Sequence, residues 1–495
     1  QPIALPRRTA SPSPFPVGMC APMSFADMPR RYPARGSGNF RLHMGQHLAC
    51  FKAYDIRGKV PSELNEEIAY AIGRAFVAET GAKTVCVGYD IRLSGPGLAE
   101  ALAKGLTDSG ANVIDLGMVG TEMVYFATAN YNFDGGVMIT ASHNPPEYNG
   151  MKMVRSESRP ISSDTGLLAI EATTHRYLTE GLPPAVSNRG SVQSLDAYAD
   201  FTQHLLAICP PDQLGSTKVL ASPGNGAAGV AMDALMPFVP IQITKMMFEP
   251  DGSFPNGVPN PILEESRAPV EQKMAGGGFD LGVAWDGDYD RCFFFDERGT
   301  FIEGYYLVGI LAASLLADHP GEAIIYDPRL TWNTIEIVNQ HGGRPVICKS
   351  GHAFIKEKMR AENAIYGGEM SAHHYFRSHW YCDSGMIPML LILKLMKQTG
   401  RTLGDLVGEM IEKYPCSGEI NSVVPDVQGA ISKIEKIYTG GQVTKIDGLS
   451  VEYPDWRFNL RGSNTEPVLR LNVESRGDRG LMQDKTNEIL QKVRE

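Results

Sequence analysis

The sequence predicts an α/β protein of three mixed-sheet α/β domains closed by a C-terminal α+β domain, and three observations carry that prediction. The chain has 495 residues, about three times a usual single-domain length, so several cores are expected. From Ala49 onward, short apolar runs alternate with helix-like stretches, which is the rhythm of α/β units with mixed or parallel sheets. From Ala430 that rhythm gives way to a helix, three closely spaced strands and a last helix.

Taken in order, Thr84–Gly88 reads as a buried strand, Gly97–Ser109 as a helix, and Asn112–Leu116 and Gly135–Thr140 as further strands. Lys218–Ala221 is the next strand, followed by a helix from Ala227, a strand at Phe279–Trp285 and a helix at Tyr305–Leu316. Ala323–Tyr326 and Pro345–Lys349 are strands, with a helix from Ala353. The closing part has a helix from Ala430, strands Leu449–Tyr453, Trp456–Leu460 and Val468–Val473, and a helix from Leu481. Residues 1–45 differ: Pro, Ser and Arg recur, Asp27 is the sole acid, and there is no apolar core of a secretory signal. This stretch reads as a disordered extension, with Met44 as an alternative initiator. Boundaries near 198, 300 and 412 then give domains at 46–198, 199–300, 301–412 and 413–495.

Hydrophobic content of 43% with 21% charged residues is ordinary globular composition. Against 46 Lys and Arg stand 56 Asp and Glu, a net charge of −10, which argues against broad binding to nucleic acid or to anionic membrane. Apolar runs such as Ile310–Ala317 and Met386–Leu393 fall far short of the ~20 residues that span a bilayer. The eight cysteines are scattered, with no CxxC pair, so they read as reduced thiols and a cytoplasmic setting is expected.

Five loops could carry chemistry. Thr140-Ala-Ser-His-Asn-Pro-Pro146 follows a strand and exposes Ser142 beside His143 and the downstream Lys152, a hydroxyl suited to act as nucleophile or phosphate carrier. A capping serine in an Asn-Pro turn fits the same spacing. No GxSxG elbow surrounds Ser142, against an α/β-hydrolase. Asp286-Gly-Asp288-Tyr-Asp290-Arg291 sets three carboxylates at alternate positions, and a divalent cation would relieve their repulsion. Glu297 completes an EF-hand-like count, but Arg291 stands where that loop needs glycine and the flanks read as strands, so a magnesium site between two strands is preferred over a plain acidic hairpin. Gly224-Asn-Gly-Ala-Ala-Gly229 matches a dinucleotide fingerprint, with Glu249 downstream. A tight strand-to-helix corner explains it equally well. Gly367-Gly-Glu369-Met-Ser371-Ala-His373-His374 suits recognition of sugar hydroxyls, or is a polar turn. Arg461-Gly-Ser463-Asn464-Thr465-Glu466-Pro467 has the composition of a phosphate cradle, or of a reverse turn.

Together and in this order, the loops resemble those of the α-D-phosphohexomutase superfamily, most of all its bacterial phosphomannomutase/phosphoglucomutase branch. The resemblance includes Ala53-Tyr-Asp-Ile-Arg57-Gly and runs from about Phe51 to the C-terminus. It implies four domains around a central cleft, each lending one loop. It implies that Ser142 is a phosphoserine whose phosphate joins Asp286, Asp288 and Asp290 around magnesium, with His143 and Lys152 supporting the phosphate and Tyr54 and Arg57 reaching in. Arg291 would meet the transferring phosphoryl group or the sugar. Glu369 and Ser371 would hold sugar hydroxyls, with His352 and His373 beside them and His373 a candidate acid/base. Arg461, Ser463, Asn464 and Thr465 would grip the other phosphate. Arg329 stands where some relatives carry lysine, and a guanidinium is a poor general base. The implied reaction interconverts hexose 1-phosphate and hexose 6-phosphate, for mannose and glucose, through a hexose 1,6-bisphosphate, in a cytoplasmic monomer or weak dimer. The rival classes are a dinucleotide-dependent oxidoreductase built on the Gly224–Gly229 turn and a non-catalytic metal- or sugar-binding module.

Overall fold

The computed structural model describes residues 47–462 and 468–495. The leader and the loop residues Ser463, Asn464 and Thr465 therefore lie outside the described residues. The chain divides into two compact units, one of residues up to 204 with 225–234 and 249–258, the other of residues 205–224, 235–248 and 259–495.

The first unit is built on one mixed sheet. Gly135–Ile139, Thr84–Tyr89, Asn112–Met118 and Val192–Ser194 run parallel, while Tyr148–Arg155 and then Ile56–Lys59 add antiparallel strands beyond Gly135–Ile139. Gly135–Ile139 is buried at every position, as a strand covered on both faces must be. Helix Glu66–Thr80 starts where Asn65 caps the Ile68 amide and stops at left-handed Gly81. It packs on helix Gly95–Asp108 through two glycines. A Cβ on Gly73 would stand 2.4 Å from the Leu102 carbonyl, and one on Gly105 2.2 Å from that of Tyr70. The backbones touch, and only glycine permits it.

The second unit holds three five-stranded sheets. In the first, Gln242–Lys245, Lys218–Ser222 and Leu281–Trp285 are parallel and Cys292–Phe295 returns antiparallel. In the second, Arg344–Ile347, Ala323–Tyr326 and Tyr366–Gly368 are parallel, with His374–Phe376 and Cys382–Asp383 added antiparallel. The third is wholly antiparallel, in the order Ile420–Val423, Val468–Ser475, Trp456–Gly462, Leu449–Glu452, Gln442–Thr444. Helices Val427–Ile437 and Arg479–Arg494 supply Ile434 and Ile489 to its core beside Phe458 and Leu471. Three mixed α/β sheets and a C-terminal antiparallel one are the predicted fold class.

Element starts shift by two or three residues where a cap sits upstream of the apolar run. Asp426 accepts from the Gly429 amide and Asp478 from that of Leu481, so these helices begin at Val427 and Arg479 rather than Ala430 and Leu481. Among the described residues no helix is long and apolar enough to cross a membrane. The described cysteines form no disulfide among themselves, and burial pushes thiols such as Cys86 up to about 12.

The glycine contact is testable against a control. Gly105→Ala should cost about 1–3 kcal/mol by overpacking, seen as a lower midpoint for the earliest thermal transition. Gly408→Ala, in helix Leu403–Lys413 with nothing within 4 Å of the added Cβ, should stabilise by up to ~1 kcal/mol through helix propensity. A Gly105→Ala protein that melts with the wild type would show slack in the helix pair.

Candidate active site

Beyond strand Gly135–Ile139 the chain turns at Ser142 with φ +49°, a left-handed conformation that a non-glycine residue holds only when its surroundings impose it. The restraints are specific. The Ser142 amide donates to Thr140 Oγ1 at 2.8 Å, and that hydroxyl donates to Asp90 Oδ2 at 2.7 Å. Arg92, only 1% exposed, donates to four carbonyls of the loop: Nη2 to Ser142 at 2.9 Å and Asn144 at 2.6 Å, Nη1 to Pro145 at 2.8 Å and Tyr148 at 2.9 Å. Ser142 Oγ lies 3.0 Å from His143 Nδ1. Lys152, buried, sits opposite Met138 on the next strand. Arg57 reaches the loop by donating to Asn144 Oδ1 at 2.6 Å and is itself paired with Asp55 at 2.6 Å. Tyr54 is half-buried just before it. A hydroxyl at a fixed turn beside an imidazole can act as a nucleophile or carry a phosphoryl group.

In the second unit, Asp286, Asp288 and Asp290 lie between Leu281–Trp285 and Cys292–Phe295, antiparallel neighbours with Trp285 opposite Cys292. Tyr289 at the tip is left-handed, φ +43°. The tip rests on Gly385, where a Cβ would come within 2.4 Å of the Tyr289 carbonyl, and Trp285 Nε1 donates to the Gly385 carbonyl at 2.9 Å. All three carboxylates are buried, with one oxygen from each within 4.8 Å of the others. Arg291 donates from Nε and Nη2 to Asp286 Oδ2 at 2.9 and 2.8 Å and interacts electrostatically with all three. Three converging buried carboxylates fit a hard divalent cation by charge and donor type.

His373 bridges to Arg291 and stands near the same hairpin, its Nδ1 3.8 Å from Asp290 Oδ1. That nitrogen is 3.0 Å from Asp383 Oδ2, while Asp383 Oδ1 takes an ion pair from fully buried Lys356 at 2.7 Å. Burial alone would raise the Asp383 carboxyl, but Lys356 and His373 hold it well below the usual range. Burial would likewise lower His373, yet Asp290 and Asp383 push it up. With Nδ1 turned to Asp383, Nε2 is the nitrogen left to exchange a proton.

The residues of the Gly367–His374 loop centre on Arg329. Its guanidinium forks onto Asp327 at 2.9 Å through both Nε and Nη2, and Nη2 also reaches Glu369 Oε1 at 3.3 Å and Ser371 Oγ at 3.2 Å. Nη1 meets Glu419 Oε2 at 3.3 Å. Held by carboxylates, the guanidinium is driven further up despite its burial, so it acts as a fixed charge. Glu369 accepts from the Gly351 amide at 3.0 Å and the Tyr375 hydroxyl at 2.6 Å, and would hold a sugar hydroxyl only by sharing these oxygens. His352 opens helix His352–Glu362 next to Gly351. Arg461, nearly buried, pairs with Glu419 at 3.2 Å.

Several of these residues escape a reading of loops alone. Asp90 and Arg92 follow strand Thr84–Tyr89, and an Asp-x-Arg triplet at the end of a buried strand is a usable signal. Asp327-Pro-Arg329 after buried strand Ala323–Tyr326 repeats that signal, whereas Lys356, Asp383 and Glu419 carry none, since their partners come from other elements. The Gly224–Gly229 turn is a packed corner: Gly224 and Asn225 are left-handed, and a Cβ on Gly224 would stand 2.6 Å from Pro259 Cβ. Asn225 Nδ2 donates to the backbone carbonyl of Glu249 at 2.8 Å, so that residue serves the turn through its main chain.

Family models of phosphoglucomutase/phosphomannomutase match the chain in order: α/β/α domain I at residues 49–180, domain II at 196–299, domain III at 303–414 and the C-terminal domain at 419–492. The chain is 53% identical over 445 residues to a protein named phosphohexose mutases from Xanthomonas campestris pv. campestris (strain B100), covering 89% of this chain and 98% of the relative. It is 50% identical over 451 residues to the phosphomannomutase of Escherichia coli (strain K12), covering 90% and 98%. Its fold is similar to a crystal structure of a phosphoglucomutase/phosphomannomutase family protein from Burkholderia thailandensis, at TM-score 0.79 and 32% identity over 90% of this chain and 97% of that one. With all four domain models matched in sequence and relatives covered almost end to end, the chain belongs to the phosphoglucomutase/phosphomannomutase family.

Proposed function

We propose that this protein is a phosphohexomutase, with phosphomannomutase and phosphoglucomutase activity, interconverting hexose 1-phosphate and hexose 6-phosphate. The observation that carries the reading is the Ser142 turn, in which backbone strain, Arg92 and Thr140 hold one hydroxyl beside His143. Such a group can store a phosphoryl between two transfers. In the first transfer the bond from phosphorus to Ser142 Oγ breaks as one to the sugar O6 forms, giving a hexose 1,6-bisphosphate. The bisphosphate then turns and returns its O1 phosphate to Ser142. The O6 proton would pass to Nε2 of His373, since Nδ1 is engaged by Asp383.

Asp286, Asp288 and Asp290, with the Ser142 phosphate, would hold magnesium, which when bound withdraws charge from the transferring group. His143, Lys152 and Arg291 would meet its oxygens, with Tyr54 and Arg57 at the rim. Glu369, Ser371 and His352 would hold sugar hydroxyls beside the fixed charge of Arg329. Arg461 with Ser463, Asn464 and Thr465 would grip the phosphate that is not transferring. Each domain, bounded near 198, 300 and 412, would lend one of these loops to the site. We place the enzyme in the cytoplasm, a reading supported by its free, mostly buried described thiols, and take it to be a monomer or weak dimer.

Ser142→Ala should lose most mutase turnover, and peptide mass of the wild-type protein should show about 80 Da added on Ser142, the mass of one phosphate. Wild-type turnover in the alanine variant would remove Ser142 from the mechanism. Chelation should abolish activity and magnesium restore it, whereas an Asp288→Asn variant that binds magnesium and turns over normally would place the metal elsewhere. Glucose and mannose 1-phosphates differ only at C2. If Glu369 and Ser371 hold hydroxyls the two sugars share, their kcat/KM values should lie within about two orders of magnitude, and Glu369→Ala should weaken both together. A ratio above about 10⁴, the range of a dedicated hydrogen-bonding discriminator, would overturn dual specificity.

A further inference from the structure

We propose that Glu419 is a built-in counter-anion of the phosphate-gripping arginines, and that a substrate phosphate binds by displacing it from Arg461. This rests on the reading of Arg461 as a phosphate ligand.

The register of the C-terminal sheet brings the cluster together. Glu419 stands immediately before strand Ile420–Val423, whose Asn421 faces Arg470, and Arg470 faces Arg461 on the next strand. Glu419 Oε1 lies 3.0 Å from Arg470 Nη1, and Oε2 lies 3.2 Å from Arg461 Nη2 and 3.3 Å from Arg329 Nη1. One carboxylate thus answers three guanidinium groups, two of them almost wholly out of water. Burial alone would raise its pKa, but Arg329, Arg470 and Arg461 draw it down to about 2, so it is an anion throughout the neutral range.

The three arginines are not equivalent. Arg329 keeps Asp327 as a forked partner and Glu369 as another whatever Glu419 does. Among the described residues, the acidic partners of Arg461 are Glu419 and, at 3.9 Å, Asp447, the latter too far for a direct hydrogen bond. Its charge is therefore the one that an incoming anion can claim. Exchange of one anion for another keeps the buried guanidinium paired in both states, which avoids the penalty of an isolated buried charge. It also limits affinity, because every binding event breaks an existing pair, and it assists release, because Glu419 returns as the phosphate leaves. A bisphosphate that must let go, turn and bind again needs such reversibility.

A scaffold role for Glu419 predicts the opposite sign in the test. Titration of inorganic phosphate into Glu419→Gln, followed by calorimetry, should give a Kd lower than wild type by about tenfold, the scale of one charge-assisted pair. KM for hexose 1-phosphate should fall with it, and kcat should fall as release slows. In the double variant with Arg461→Gln the gain should vanish. An unchanged or weaker phosphate Kd in Glu419→Gln would overturn the proposal and make Glu419 a strut for the arginines. Arg461→Gln alone separates the two readings. If it leaves phosphate and substrate binding intact, the phosphate-ligand reading has failed; if it weakens them while Glu419→Gln does not tighten them, only the counter-anion proposal has failed. Should Glu419→Gln not fold, Glu419→Asp, one methylene shorter, must show the same tightening to a smaller degree or the proposal falls.

Discussion

Arg329 is 2% exposed, and its guanidinium is met by Asp327, Glu369 and Glu419 together with the Ser371 hydroxyl. A charge taken this far out of water is tolerated only when other charges answer it, and removing one partner from such a pair costs about 3–5 kcal/mol. Besides its neighbour Asp327, the groups that answer Arg329 are Glu369 of the Gly367–His374 loop and Glu419, which also pairs with Arg461 and Arg470. The pairing of one buried cation therefore ties the position of that loop to Arg461.

The loop that carries Arg329 is held from the other side through its main chain. Arg457 donates to the carbonyls of Arg329 at 3.0 Å and Pro328 at 2.8 Å, and pairs with Glu474 at 2.8 Å. Glu474, wholly buried, also accepts from the Thr331 amide at 2.8 Å and from the Tyr305 hydroxyl. Strands Trp456–Gly462 and Val468–Ser475 thus supply an arginine and a glutamate that act on backbone, while Arg461 and Arg470 of the same strands face Glu419. Residues four apart on a strand share a face, so one face of this strand pair carries both tasks while Phe458, Leu460, Leu471 and Val473 fill the core from the other.

Where chemistry sits in consecutive residues, the sequence shows it. Ser142, His143 and the Asp286–Arg291 run are local; spacing alone leaves Ser142 as a nucleophile, phosphate carrier or capping serine, and marks the acidic run as a cation site, while the phosphoserine role is what the family resemblance implies. Residues that work across the fold are silent in the sequence. Lys356 lies in a helix and Asp383 in an edge strand, and neither position looks unusual until the ion pair between them is seen to hold His373. The fold is also legible in part. Buried strands announce themselves as apolar runs, and helix Gly304–Asp318, although buried on nearly every side and without a polar face, is long and apolar enough to be read at Tyr305–Leu316. Helix Glu66–Thr80 escapes the sequence reading, although Asn65 caps its start and Gly81 its end.

Two buried arginines, Arg92 and Arg461, illustrate different uses of one side chain. Arg92 spends its donors on four carbonyls of the Ser142 loop. Those acceptors are neutral and belong to the backbone, so no incoming anion can exchange places with them without unmaking the turn, and Arg92 is permanent structure. Arg461 is paired with a side-chain carboxylate, which can swing away and be replaced by another anion with little change in the surrounding charge. Under the proposed reaction, storing a phosphoryl group at one fixed hydroxyl and accepting either end of a bisphosphate would call for both kinds of cation. A phosphate-carrying serine would require a rigid frame, because displacement by a fraction of an ångström spoils in-line attack. A distal phosphate would require a partner that can be surrendered and regained, because a grip with no competitor would trap the intermediate in one orientation.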